Sequence, residues 1–136
     1  MDENQLGTVI LTAAYRVHTE LGPGLFESVY EAVLAYEIRN KGIEVERQTA
    51  VPIFYRDVKF EEGFRADLIV GKKVILELKS VENLEKVHAK KLLTQLRLSG
   101  MHLGYLINFG APHLKSGIRR VVNGLSETSI PRNSMS

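Results

Sequence analysis

Arg65 to Ser80 reads RADLIVGKKVILELKS. Two short aliphatic, β-branched runs, Ala66–Val70 and Val74–Leu78, flank a Gly-Lys-Lys break, the pattern of a tight hairpin. Asp67, Glu77 and Lys79 are set into this apolar background. Alternation puts Glu77 and Lys79 on one face of their strand, with Val74, Leu76 and Leu78 on the other. The place of Asp67 depends on the turn. A two-residue turn at Gly71-Lys72 pairs Asp67 with Leu76 and sends Asp67 and Glu77 to opposite faces. A three-residue turn, Gly71-Lys72-Lys73, or an equivalent bulge, pairs Asp67 with Glu77. We expect the second.

Two carboxylates converging on one point of a sheet make a hard-oxygen site suited to Mg²⁺ (or Mn²⁺), an ion that takes one or two carboxylates plus waters and phosphate oxygens. A lysine two residues on can orient or deprotonate an activated water, or hold a phosphate. The same triplet also fits a solvated face with a cross-strand Glu–Lys pair. D-x9-E-x-K across a hairpin resembles the signature of the PD-(D/E)XK nuclease superfamily, and residues elsewhere decide between the two readings.

A length of 136 residues suits one domain, expected over residues 1–123, and the polar composition of 124–136 predicts a frayed tail. Hydrophobic content of 44% and charged content of 25% are ordinary for a globular protein. With no cysteine, disulfides, thiolate metal sites and cysteine nucleophiles are excluded. No apolar run approaches a membrane span, and the start MDENQLG does not read as a signal peptide, so a cytoplasmic protein with no membrane partner is expected. A net charge of +2 is too small to argue nucleic-acid binding by itself, so any basic patch must be local.

Asn4 to Leu21 reads as a helix, with Leu6, Val9, Ile10, Ala13, Val17 and Leu21 in one apolar stripe and Gly22-Pro23-Gly24 as its stop. His18 lies beside that stripe. A second helix is expected from about Phe26 to Lys41, its apolar arc holding Phe26, Val29, Tyr30, Val33, Leu34 and Ile38. Helical geometry sets Glu27 between Leu34 and Ile38, and Glu37 between Phe26 and Tyr30. Carboxylates inside an apolar arc need a cation, a metal or a donor. The alternatives are a helix-dipole role for Glu27 and an ion pair with Arg47 or Arg65 for Glu37.

Gly24-Leu25-Phe26-Glu27-Ser28-Val29-Tyr30 is G-x-x-E-x-x-Y. With His18, Leu21-Gly22-Pro23, Ala35-Tyr36-Glu37, Arg65-Ala66-Asp67-Leu68, Glu77-Leu78-Lys79 and Leu106-Ile107-Asn108-Phe109, it resembles the bacterial GxxExxY protein family of the PD-(D/E)XK superfamily. The likeness runs from about Ile10 to Val122. It implies a fold, an α/β restriction-endonuclease-like core with a mixed β-sheet flanked by helices, and a metal site. It implies no substrate.

Glu44 to Tyr55 alternates as a strand, with Pro52 arguing for an edge position or a bulge. Val58–Phe60 follows, Glu61-Glu62-Gly63 separates it from the Arg65 strand, and three or four strands of antiparallel meander result. Leu84 to Ser99 is an amphipathic helix with Ala89, Leu92, Leu93 and Leu96 facing the sheet and His88, Lys91 and Gln95 on a neighbouring stripe. In many superfamily members this helix presents a glutamine and, four residues later, a tyrosine near the metal. Here those positions read Lys91 and Gln95, a departure from the pattern. Lys86, Lys90 and Arg97 lie towards the other side, as phosphate contacts or as solvated cations. His102–Phe109 reads as a buried strand parallel to a meander strand, and Gly117–Val122 as a final edge strand.

The leading expectation is a Mg²⁺-dependent endo- or exonuclease hydrolysing DNA phosphodiester bonds. By the resemblance, Glu27, Asp67, Glu77 and the Leu78 backbone carbonyl surround the metal and Lys79 positions the attacking water. His18, Tyr30, Glu37, His88, Lys91 and Gln95 are accessory candidates. The alternatives are a nucleic-acid-binding or protein-interaction module on the same fold. A nuclease of this size that cuts both strands would need a homodimer.

Overall fold

Three residues close the hairpin. In the computed structural model, which describes residues 1–125, β2 (Val58–Val70) and β3 (Val74–Lys79) pair as Val70 with Val74, Ile69 with Ile75 and Leu68 with Leu76. Gly71 and Lys72 take φ of 58° and 60°, left-handed values that Gly accepts without cost. The Lys73 amide donates to the Val70 carbonyl at 3.1 Å. Asp67 therefore stands level with Glu77, as the longer turn requires.

The sheet grows outward from this hairpin. β1 (Val45–Tyr55) pairs antiparallel with β2, β4 (Leu103–Asn108) runs parallel to β3, and β5 (Ile118–Val122) returns antiparallel to β4, in the order β1-β2-β3-β4-β5. β1 lies at one edge and shifts register between Val51 and Ile53, so Pro52 marks both an edge and an irregularity. One expectation is corrected. Glu61-Glu62-Gly63 does not separate two strands; β2 runs unbroken through it. Residues 53–55 and 58–60 pair as a two-stranded ribbon, whose exposed faces need no apolar pattern, and Gly63 lies so close to Ile53 that a Cβ would fall 2.2 Å from its Cγ2.

β3 and β4 are central and buried on both faces. α1 (Glu3–Leu21) and α2 (Glu27–Arg39) cover the face carrying Val74, Leu76, Leu78, Leu103, Tyr105 and Ile107. α3 (Lys86–Ser99), the crossover between the parallel strands, covers Ile69, Ile75 and Leu106 on the other. Gln95 rather than Leu93 is buried with Leu92 and Leu96 in α3. The core extends to Leu125, which packs against the α1–α2 side; the rest of the expected tail lies outside the described residues. No described helix is long and apolar enough to cross a membrane.

Candidate active site

β2 and β3 part where the charges begin. Beyond Leu68–Leu76 the main-chain pairing is not continued, and the Asp67 carboxylate takes up the next amide: Leu78 N–H donates to Asp67 Oδ2 at 2.8 Å. The other oxygen, Oδ1, accepts from the Gln48 side-chain amide at 3.2 Å. Gln48 lies in β1 at φ 48°, a left-handed value inside a strand. Such strain persists where surrounding contacts enforce it, and it clusters at functional sites. The same Nε2 reaches Glu31 Oε1 at 2.5 Å, and Arg47 Nε donates to Glu31 Oε2 at 3.1 Å. Glu31, buried on α2, thus holds the β1 edge that holds Asp67.

Glu77 and Lys79 project from β3 under α3. Glu77, Lys79, His88, Lys91, Leu92, Gln95 and Leu106 enclose a small cavity with about 10 Å³ of room, the volume of one water-sized occupant. Glu77 Oε1 and Gln95 Oε1 are both buried there without a hydrogen-bond partner among the described residues. Burial of Glu77 and then the neighbouring Asp67 charge push its pKa up from 4.5 to about 7, against the opposing pull of Lys79 and Lys91. His88, Lys91 and Gln95 therefore reach the site. His88 also closes the start of α3, its Nδ1 accepting the Glu85 amide at 3.2 Å.

The G-x-x-E-x-x-Y residues are placed differently from expectation. α2 begins at Glu27, one residue after an 82% exposed Phe26, and its buried side is Tyr30, Glu31, Leu34, Ala35 and Ile38. Glu27 is exposed in the first turn and Glu37 half-buried, so neither is a buried carboxylate. The buried side is turned towards Glu31 and Ala35 and away from Phe26 and Val29. Glu27 stays on it, between Leu34 and Ile38, but is exposed because it opens the helix, and Glu31, one turn further on, takes the buried carboxylate position. The arginines expected for Glu37 are engaged elsewhere, Arg47 with Glu31 and Arg65 with the Gln48 carbonyl. Among the described residues no three of His, Asp and Glu lie close enough to share a metal ion, so Asp67 and Glu77 meet without Glu27.

Tyr30 and His18 are braces. The Tyr30 hydroxyl donates to the Gly22 carbonyl at 2.5 Å and accepts the Leu25 amide at 3.1 Å. Its ring stacks on Phe109 at 4.5 Å and 4°. His18 Nε2 donates to the Ala111 carbonyl at 2.8 Å. Ser80, just after Lys79, donates from Oγ to the Leu25 carbonyl at 2.7 Å, tying the loop to the end of β3. Asn108, buried at the end of β4, accepts the Val81 amide at 3.0 Å and donates to the Val81 carbonyl at 2.9 Å. Glu31 and Gln48, which hold Asp67, carried no signal in the sequence; Asn108, part of the Leu106–Phe109 motif, braces Val81 and Gly110.

Lys86 and Lys90 line a separate groove, and Arg97 is exposed in the last turn of α3 without lining either space. A mixed sheet between helices, with two carboxylates and a lysine where its strands part, is the restriction-endonuclease-like class of α/β domain. The chain belongs to the PD-(D/E)XK nuclease superfamily, whose family model matches residues 4–121. No curated protein and no solved structure matches it.

Proposed function

We propose that the chain is a Mg²⁺- or Mn²⁺-dependent nuclease acting on DNA. The observation that carries this reading is the small cavity of Glu77 and Lys79, in which a Glu77 oxygen is buried without a partner, with the Asp67 carboxylate beside it on the Leu78 amide. A buried oxygen without a donor costs free energy that a cation would recover. The two buried atoms without a partner are oxygens, Glu77 Oε1 and Gln95 Oε1, which fits a hard cation. The Asp67 carboxylate, held by Gln48 and the Leu78 amide, adds the second carboxylate, and two suffice for Mg²⁺ when water and substrate phosphate complete the shell. In this reading Asp67, Glu77 and the Leu78 carbonyl hold the ion, and Glu27 stays outside the set. Once bound, the ion would neutralise phosphate charge and acidify water.

The chain's own residues would do the rest. Gln48 and the Leu78 amide fix the Asp67 carboxylate, so little reorganisation is left for the reaction. The Lys79 ammonium would orient the attacking water and stabilise charge developing on the phosphoryl oxygens. Lys91, on the opposite wall, would add a second positive charge where other superfamily members have glutamine. A module that only bound phosphate would gain nothing from two anions at its binding face, which disfavours the non-cutting alternative. A cytoplasmic location goes with this reading.

The test is nicking of supercoiled plasmid in Mg²⁺ or Mn²⁺, with EDTA controls. Lys79→Ala should lose cleavage yet keep most of the rise in melting temperature given by Mn²⁺, and Asp67→Asn should lose both. Cleavage by Lys79→Ala at the parent rate would overturn the assignment.

A further inference from the structure

The rows of the sheet lead out of the active-site cavity. Glu77 of β3 pairs with Leu106 of β4, and Leu106 pairs in turn with Arg119 of β5, so the three share one row and one face. Leu106 floors two spaces. On one side is the cavity of Glu77 and Lys79; on the other is an open groove of about 280 Å³ lined by Leu84, Glu85, Lys86, Ala89, Lys90 and Arg119. α3 straddles this residue. His88, Lys91 and Gln95 look into the cavity, while Lys86, Ala89 and Lys90, three and four residues apart, look into the groove.

The groove has the chemistry of a phosphate track. Three cations, Lys86 and Lys90 from the helix and Arg119 from the strand, face each other over an aliphatic floor, against the single carboxylate of Glu85. Arg119 is held in place by Nη1 donating to the Ser116 and Ile118 carbonyls at 2.8 and 3.0 Å. Neither lysine forms an ion pair among the described residues. No aromatic side chain lines the groove, so it offers bases no stacking platform. Two inter-strand spacings, about 10 Å, separate Glu77 from Arg119 along the row.

We propose that this groove seats the phosphates that flank the scissile one, so that a nucleic-acid strand runs from the Glu77–Lys79 cavity over Leu106 and between α3 and β5. The proposal rests on the nuclease reading and adds where the strand lies and how it is held: by backbone charge, without regard to base sequence. Arg97, at the far end of α3, takes no part.

The experiment measures binding of a fluorescein-labelled 20-nucleotide DNA strand, its RNA counterpart and the DNA duplex by anisotropy, with the full chain and Ca²⁺ replacing Mg²⁺. Lys86→Ala/Lys90→Ala/Arg119→Ala should weaken binding about tenfold or more and flatten the slope of log K against log[salt] by about two for a single strand. Its melting temperature and Mn²⁺ shift should match the parent, showing an intact fold and metal site. Lys86→Arg/Lys90→Arg/Arg119→Lys should restore affinity. A control, Lys41→Ala/Lys72→Ala/Lys73→Ala, removes the same charge at the hairpin-turn end and should bind as the parent does. Equal losses in both triple variants would reduce the effect to net charge and overturn the track. So would a groove variant with parental affinity and slope while the parent still cuts. A parent that binds none of the three probes at low salt would instead overturn the nuclease reading itself.

Discussion

Glu77 ionises at a cost. Below about pH 4.5 it is protonated in the folded and unfolded chain alike, and burial exacts nothing. Between 4.5 and about 7 the unfolded chain releases the proton while the folded one keeps it, so stability falls as pH rises. Above 7 the full penalty is present, on the order of 3 kcal/mol for a shift of this size. In EDTA, urea unfolding of the parent should therefore weaken between pH 5 and 8 relative to Glu77→Gln; parallel curves would contradict the burial argument. Mn²⁺ affinity should climb through about pH 7, because the proton must leave before the carboxylate ligates. At Gln48 two effects separate cleanly. Gly suits φ 48° and Ala does not, so Gln48→Gly should be more stable than Gln48→Ala by about 1 kcal/mol in thermal unfolding, and both should bind Mn²⁺ more weakly than the parent.

Packing at the level of elements overrides local preference. α1 crosses β4 at Gly7, where a Cβ would sit 2.6 Å from the Tyr105 hydroxyl oxygen. On propensity alone, alanine at a helix interior position gains about 1 kcal/mol over glycine. The close approach should reverse that sign: Gly7→Ala is expected to lower the melting temperature, and adding Tyr105→Phe, which removes the obstructing oxygen, should recover part of the loss. A Gly7→Ala protein more stable than the parent would show that α1 moves away at no cost. The β1–β2 ribbon teaches the same lesson in reverse. Its polar Glu61-Glu62-Gly63 stretch has no strand signal, yet it is strand because Ile53–Tyr55 pairs across from Val58–Phe60.

The whole molecule offers one Asp67–Glu77–Lys79 set per chain. A duplex cut needs two such sets, so nicked circles should accumulate before linear DNA when plasmid is digested at low protein concentration. Linear product appearing first would show two chains acting together as a dimer. The hairpin, the helices before and after it and the placing of Glu77 and Lys79 on one face were legible in the sequence, because each depends on periodicity and turn chemistry within a few residues. The turn length, on which the place of Asp67 depends, was open between two and three residues until the pairing of Val70 with Val74 settled it. His88, Lys91 and Gln95 were legible as one helical stripe. The rotation of α2 about its axis was not, since an arc of Phe26, Val29 and Tyr30 and one of Tyr30, Glu31 and Leu34 differ by little in pattern and are separated only by which side meets the rest of the fold, where Arg47 and Gln48 of β1 receive Glu31. Nor could local sequence announce that Glu31, Arg47 and Gln48 secure Asp67: these contacts span 16 to 19 residues and exist only once β1 lies beside β2 and under α2. The sequence by itself determined the elements and the reactive groups, through spacing; which carboxylates meet, and which oxygen is left buried without a donor, only the tertiary structure decided, because burial belongs to the assembled layers and not to any one of them.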